Sequence, residues 1–121
     1  MLKFRRVAPS DLHLYFNWAN DPLVREQSFN SDAITLEEHS IWFMAAIANS
    51  NLQMLVFSNE ANEPVGQVRL QKKNNSEAVI GVSISAEHRG KGYASQMLEM
   101  AADCFLKEHK DCTIHAYIKQ T

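Results

Sequence analysis

The chain has 121 residues, of which 45% are hydrophobic and 21% charged, which is the composition of one globular domain and excludes a disordered segment. Its 12 basic and 14 acidic residues give a net charge of −2, so no overall basic surplus points to nucleic acid as a partner. No run approaches the ~18 apolar residues of a membrane span, and the two cysteines, Cys104 and Cys112, suit a reducing cytoplasm.

A strand and a helix are predicted at the start of the chain. Apolar and charged residues alternate over residues 2–7, which predicts a strand. Ser10 follows Pro9 and is predicted to cap a helix that stops at residues 20–22, Asn-Asp-Pro. The apolar face of this helix is predicted to comprise Leu12, Tyr15, Phe16 and Ala19.

A capping box predicts the second helix. Thr35 and Glu38 stand at the spacing of such a box, so the helix is expected to begin at Leu36. Residues 23–34, between the two helices, are predicted to be an irregular loop or a loose turn of helix. The apolar face of the second helix is predicted to comprise Ile41, Trp42, Ala45 and Ala48.

The second half of the chain reads as a sheet with one crossover helix. Strands are predicted over residues 53–58, 64–70, 78–85 and 113–119, with a helix over 92–107 before the last strand. The order β-α-α-β-β-β-α-β predicts an α+β (α/β) domain whose mainly antiparallel sheet ends in a strand parallel to its neighbour. The helix presents Leu98, Ala101, Ala102 and Phe105 on one face.

The most informative segment is residues 85–95, Ser-Ala-Glu-His-Arg-Gly-Lys-Gly-Tyr-Ala-Ser, which joins a strand to a helix. Gly90 and Gly92 allow a sharp turn and a close approach to a ligand. The first N–H groups of the following helix lack partners and favour an anion, and Arg89 and Lys91 add positive charge. The segment therefore predicts a phosphate site.

A dinucleotide site is the alternative interpretation of the same glycines. Gly90-x-Gly92-x-x-Ser95 approaches the G-x-G-x-x-G fingerprint. However, antiparallel strands precede it, and the next predicted strand ends in Lys119 where the fingerprint requires an acidic residue.

Arg89-x-x-Gly92-x-Ala94 resembles the acyl-CoA-binding signature of the GNAT superfamily of N-acetyltransferases, and the order of elements resembles that fold along the whole chain. The N-terminal half is similar to the branch of ribosomal-protein N-terminal acetyltransferases and bacterial amino-sugar acetyltransferases, most of all to enzymes of the pseudaminic-acid pathway type. This similarity rests on Trp18-Ala19-Asn20-Asp21-Pro22, Val24-Arg25, Ile34-Thr35, Glu38-His39 and Trp42-Phe43.

The resemblance implies acetyl-CoA as cosubstrate, no metal, and a primary amine as acceptor. The expected acceptor is a nucleotide-linked amino sugar. If the chain is an enzyme, a protein N-terminus is the main alternative acceptor. The loop positions implied to hold the CoA pyrophosphate are Arg89, Gly90, Lys91, Gly92, Tyr93, Ala94 and Ser95. The strand positions implied to pair with the pantetheine arm are Val82, Ser83 and Ile84.

The transfer needs a neutral amine, and an alkylammonium with a pKa of ~10.4 is mostly protonated at pH 7. A general base, or a water chain leading to one, is therefore expected. The base is sought among Glu38, His39, Glu77, His88 and His115. His39, His115 and Tyr117 are the catalytic candidates, and Asn20, Asp21 and Arg25 the candidates for binding the acceptor.

Family members continue beyond the fifth strand with a helix whose Tyr serves as general acid, whereas this sequence stops at Thr121. The domain, residues 1–121, is therefore expected to be C-terminally incomplete, or to have its open edge covered by a second copy in a homodimer. A non-catalytic CoA- or nucleotide-binding module stays open as an alternative.

Overall fold

The structure is a computed structural model that describes residues 2–22 and 34–116. These residues form two compact units. One contains the described residues of Met1–Arg6 and Ser50–Thr121, and the other contains those of Val7–Asn49.

The first unit is built on a five-stranded sheet in the order β1-β2-β3-β4-β5. Each of the strands β1 to β3 pairs antiparallel with the next strand in the chain, and β5 pairs parallel with β4. This confirms both the predicted meander and the predicted parallel last strand. The strands are β1 Lys3–Arg6, β2 Leu52–Ser58, β3 Pro64–Lys72, β4 Glu77–Ile84 and β5 Thr113–Ala116.

One helix, α3 (Tyr93–Glu108), connects β4 to β5 and contributes one side of the core of this unit. Its buried residues are Met97, Ala101 and Phe105, at the spacing of one helix face. Ala101 and Phe105 were predicted for this face, whereas Met97 was not. On the sheet side the core contains Leu55, Phe57, Val68, Leu70 and Ile80.

The second unit begins with a 3-10 turn, Pro9–Asp11, that leads into α1, Leu12–Ala19. The prediction that Ser10 caps the helix is wrong. The turn begins one residue earlier, at Pro9, and Asp11 accepts a hydrogen bond from the Ala8 N–H through Oδ2 at 2.8 Å. The predicted stop at residues 20–22 is confirmed.

Helix α2 (Leu36–Ala48) begins where the capping box predicted, because Thr35 Oγ1 accepts a hydrogen bond from the Glu38 N–H at 3.2 Å. The predicted apolar face is wrong, since Ile41 is 69% and Trp42 41% exposed. The buried residues are instead His39, Phe43 and Ala46. The Phe43 ring lies 5.3 Å from the ring of Tyr15 in α1, so packing against α1 selects this face.

Two predicted segments fall wholly or partly outside the described residues, namely 23–33 of the interhelical loop and 117–119 of the last strand. In the described part of the chain, no helix is long and apolar enough to span a membrane.

Candidate functional site

The C-terminal half of β4 leads into the glycine segment. The described pairing of β4 with β5 runs from Glu77↔Thr113 to Ile80↔Ala116. Val82, Ser83 and Ile84 follow beyond this ladder and are all half-buried. The positions implied to pair with a pantetheine arm therefore lie on the stretch of β4 that leads directly to the loop.

The sheet beneath the loop is tightly packed at Gly66, which pairs with Ile84. A Cβ atom on Gly66 would collide with the carbonyl oxygen of Ser83 and lie 3.1 Å from the Met97 Cε. Strands β3 and β4 and helix α3 therefore meet at this point with no room for a side chain. This role of Gly66 was not predicted, and the available signal for it in the sequence is a glycine inside a strand pattern.

The loop itself has the backbone that its glycines predicted. A 3-10 turn, Ala86–His88, leads to Arg89 in an extended conformation with φ −69° and ψ 151°. Gly90 has φ 79° and Gly92 has φ 77°, in the left-handed region that favours glycine. A Cβ atom on either glycine would meet no other heavy atom within 4 Å, so the loop is open on that side.

Gly92 is the N-cap of α3 and provides no capping side chain. By helix geometry the first N–H groups of α3, at Tyr93, Ala94 and Ser95, have no partner inside the helix. Lys91 is exposed and Arg89 is half-buried beside them. Backbone donors and the helix dipole lie at this end of the helix, and Arg89 and Lys91 in the adjoining loop add positive charge, a combination that suits a bound phosphate group.

Ser85 and His88 form a pair that sequence reasoning did not find. Ser85 Oγ lies 2.7 Å from His88 Nδ1, and both residues are buried. The Ser-x-x-His spacing at the end of a strand was the available signal, because a turn brings residues i and i+3 together.

His115 lies on β5, opposite Val79 of β4. Its Nε2 is 3.8 Å from the Glu77 Oε2, and both side chains are about half exposed, at 46% and 54%. Tyr117 lies outside the described residues. No group of three or more His, Cys, Asp or Glu side chains in the described ranges could hold a metal ion.

His39 is buried in the second unit, where its Nε2 lies 3.1 Å from the carbonyl oxygen of Leu12. The rings of Phe16 and Phe43 lie 5.4 and 5.7 Å from the imidazole. Burial lowers the pKa of His39, the Leu12 carbonyl partly offsets this, and the nearby His13 lowers it further. This environment favours a neutral imidazole that packs α1 against α2.

The predicted acceptor-binding residues of the second unit are only partly described. Asn20 Nδ2 donates to the Ile34 carbonyl at 2.9 Å, and the Ile34 N–H donates to Asn20 Oδ1 at 2.7 Å. Both polar atoms of this side chain therefore bond the same backbone residue. Asp21 is half-buried and donates its backbone N–H to the Trp18 carbonyl at 3.2 Å, whereas Arg25 lies outside the described residues.

Comparison with solved structures shows the same fold in several proteins. The spermidine N-acetyltransferase of Vibrio cholerae in complex with CoA and spermine superposes with a TM-score of 0.84 at 21% identity, over 95% of this chain and 69% of that chain. A domain from Methanocaldococcus jannaschii DSM 2661 gives a TM-score of 0.81 at 23% identity, over 96% of this chain and 76% of that chain. The dodecameric V. cholerae enzyme in an intermediate state gives 0.79 at 20% identity, over 97% and 69% of the two chains.

No curated protein matches the chain. The family described as the acetyltransferase (GNAT) domain, in contrast, matches the chain over residues 1–121. This match covers β4, the glycine loop and α3, the elements that form the candidate phosphate site. The chain therefore belongs to the GNAT acetyltransferase family, and it is an acyl-CoA-dependent N-acetyltransferase, as its sequence predicted.

Proposed function

We propose that this chain transfers the acetyl group of acetyl-CoA to the primary amine of a small molecule. The observation that carries the proposal is the glycine loop, in which Gly90 and Gly92 adopt left-handed φ values directly before the N-terminus of α3. This backbone offers N–H donors to a pyrophosphate just beyond the C-terminal end of β4.

Two adjoining segments of the first unit bind different parts of acetyl-CoA. The loop residues, with Arg89 and Lys91, bind the pyrophosphate through backbone N–H groups and positive charge. The β4 residues Val82, Ser83 and Ile84 pair with the amides of the pantetheine arm. An arm that runs along β4 from the loop carries its thioester toward the part of β4 that pairs with β5.

His115 is the general base that we propose. It belongs to β5, opposite Val79 of β4, and it is half exposed. Glu77 Oε2 lies 3.8 Å from its Nε2, within ion-pair range of the imidazolium that forms when the base takes up a proton. The imidazole removes a proton from the acceptor ammonium. The amine nitrogen then bonds to the carbonyl carbon, and the carbon–sulfur bond breaks as CoA leaves as its thiolate. The nitrogen loses its second proton, which balances the proton that the thiolate takes up.

The other two catalytic candidates are less well supported. His39 packs between helices with its Nε2 bonded to Leu12, so its catalytic role remains a prediction that its surroundings do not favour. Tyr117 follows two residues after His115 in the chain and remains a prediction as a catalytic residue.

A nucleotide-linked amino sugar is the acceptor we propose, on the resemblance of the N-terminal half. A polyamine is the second candidate, because the V. cholerae enzymes with this fold are spermidine N-acetyltransferases, one of them in complex with spermine. Of the proposed acceptor contacts, Asp21 and Arg25 remain candidates, while the side chain of Asn20 is engaged with Ile34. A cytoplasmic location and a homodimer also remain predictions.

The test begins with thermal melting in the presence of acetyl-CoA, with NADH as the control. Ligand at about 100 times its dissociation constant stabilises the folded chain by ~2.7 kcal/mol, a shift of several degrees. We expect a shift with acetyl-CoA alone, whereas a shift with NADH alone would support the dinucleotide alternative.

A continuous assay of free CoA thiol then compares amino-sugar nucleotides, spermidine and peptide N-termini as acceptors. Turnover with the amino-sugar nucleotides confirms the proposed acceptor. Turnover with spermidine alone replaces it, and binding of acetyl-CoA without turnover of any amine contradicts the enzymatic proposal.

A further inference from the structure

Ser85 and His88 are buried polar residues that no step of the proposed transfer uses. Each is 7% exposed, although Ala86 and Glu87 between them are exposed. A buried hydroxyl and imidazole are costly unless they are hydrogen-bonded, and the 2.7 Å separation of Ser85 Oγ and His88 Nδ1 provides that bond. This pair stands at the junction of β4 and the glycine loop.

On the strand side, the pair is fixed to the sheet. The Ser85 N–H donates to the Val65 carbonyl of β3 at 2.8 Å, and the His88 N–H donates to the Ser85 carbonyl at 3.0 Å. Two hydrogen bonds, one between backbone groups and one between side chains, therefore join Ser85 to His88. The turn that they close follows the tightly packed region around Gly66. These bonds fix the direction in which the backbone continues from β4 into the glycine loop.

On the helix side, the imidazole reaches the first residue of α3. The ring centroids of His88 and Tyr93 lie 6.4 Å apart. These two residues bracket residues 89–92, the four-residue segment that holds both left-handed glycines. His88 thus links the strand end to the helix start across the segment that presents the backbone donors.

We propose that Ser85 and His88 are positioning residues that hold the glycine loop in its phosphate-binding shape before acetyl-CoA arrives. The inference rests on the proposed function, since it assigns the pair to the pyrophosphate end of the donor. A loop that is already ordered avoids the entropic cost of ordering on binding. The pair touches neither the thioester nor the amine, so its contribution belongs to donor binding and not to the chemical step.

The experiment compares two donors that share the thioester. Acetyl-CoA carries the pyrophosphate and nucleotide, whereas acetyl-pantetheine lacks both. Ser85→Ala and His88→Leu remove the side-chain bond. Ser85→Thr keeps the hydroxyl, and His88→Asn places an amide at about the position of Nδ1. We expect the first two variants to raise the KM for acetyl-CoA about tenfold, with kcat, the KM of the amine and kcat/KM for acetyl-pantetheine changed less than about twofold.

We expect the Thr and Asn variants to recover most of the acetyl-CoA KM, and melting curves to show that all four variants are folded. Equal losses with both donors, or an unchanged acetyl-CoA KM in Ser85→Ala and His88→Leu, would overturn the inference. Calorimetric titration with CoA separates the two proposals. If the wild-type chain binds CoA but acetylates no amine, the proposed function fails while the ratio of CoA affinities still decides the role of the pair. A wild-type chain that does not bind CoA overturns both.

Discussion

The imidazole of His39 in α2 donates its Nε2 proton to the backbone carbonyl of Leu12 in α1, over 3.1 Å. The carbonyl belongs to the first residue of α1, and the imidazole is 2% exposed. The bond joins the two helices of the second unit through a neutral side chain, because burial lowers the pKa of His39. It therefore ties the stability of this unit to pH.

We expect the free energy of unfolding to fall as the pH drops below ~6.5, the ordinary histidine pKa. The unfolded chain takes up a proton on His39 at that pH, whereas the folded chain resists it until the pH reaches the lowered pKa, so this stability is complete above ~6.5 and is lost below it. His39→Gln keeps a donor near Nε2 but does not titrate. Urea unfolding at pH 5 to 8 is expected to show a smaller pH slope in the variant. An identical pH slope of the unfolding free energy in both proteins would contradict the assignment of this pH dependence to His39. A loss of kcat in His39→Gln with unchanged stability would restore His39 as a catalytic residue.

Gly92→Ala is expected to destabilise the fold by about 1 kcal/mol, because an L-residue with a side chain is strained at a φ of 77°. It is also expected to weaken acetyl-CoA binding, since relief of that strain moves the loop. Gly81→Ala is the matched control. Its Cβ would also meet no heavy atom within 4 Å, but Gly81 is not in the left-handed region, so the free energy of unfolding should stay equal or rise. Equal effects of the two substitutions in urea unfolding would argue against strain at Gly92.

Arg89→Glu is expected to raise the dissociation constant of acetyl-CoA at least about tenfold, since a carboxylate replaces a cation beside the proposed pyrophosphate position. Lys73→Glu, in the turn between β3 and β4, makes the same change of charge away from the loop and should leave the affinity within about twofold. Titration calorimetry at fixed ionic strength measures both. Comparable losses in the two variants would indicate a general effect of net charge.

Gly66→Ala is expected to be the most destabilising glycine substitution in the described sheet, by about 2–3 kcal/mol. Its methyl group would meet the backbone carbonyl of Ser83, which cannot move without distorting β4. Urea unfolding measures the loss, and acetyl-CoA binding is expected to fall with it because Ser83 leads into the loop. A stable Gly66→Ala protein would show that β3 and β4 separate more easily than their packing indicates.

His115→Gln is expected to lower kcat by about 10²-fold or more if His115 transfers the proton of the acceptor ammonium. Raising the pH should recover part of the loss, because a larger share of the amine is then already neutral. His13→Gln, at an exposed position of α1, is the control and should leave kcat unchanged. An unaffected kcat in His115→Gln would move the search for the base to Tyr117 and other residues near the end of β5.

The parts of this protein that the sequence determined are those governed by local rules. Thr35 capped α2 as predicted because a cap depends on residues one turn apart, and Gly90 and Gly92 had left-handed φ values because the turn into α3 requires them. Alternating apolar residues placed Ile80 in the core because the side chains of a strand alternate with a period of two. The order of these elements, together with the signature Arg89-x-x-Gly92-x-Ala94, indicated the family.

Only the tertiary structure decided which faces and pairs would form. The composition of α2 allowed two apolar faces, and contact with Tyr15 selected Phe43 and left Ile41 exposed. The sequence allowed a catalytic role for His39. In the structure its ring packs against aromatic side chains and its Nε2 bonds the backbone carbonyl of Leu12, a residue 27 positions away in the chain. The pairing of Ser85 with His88 depended on a turn anchored to β3, a strand distant in sequence. Local pattern specifies each element, whereas burial and hydrogen bonding depend on which elements meet.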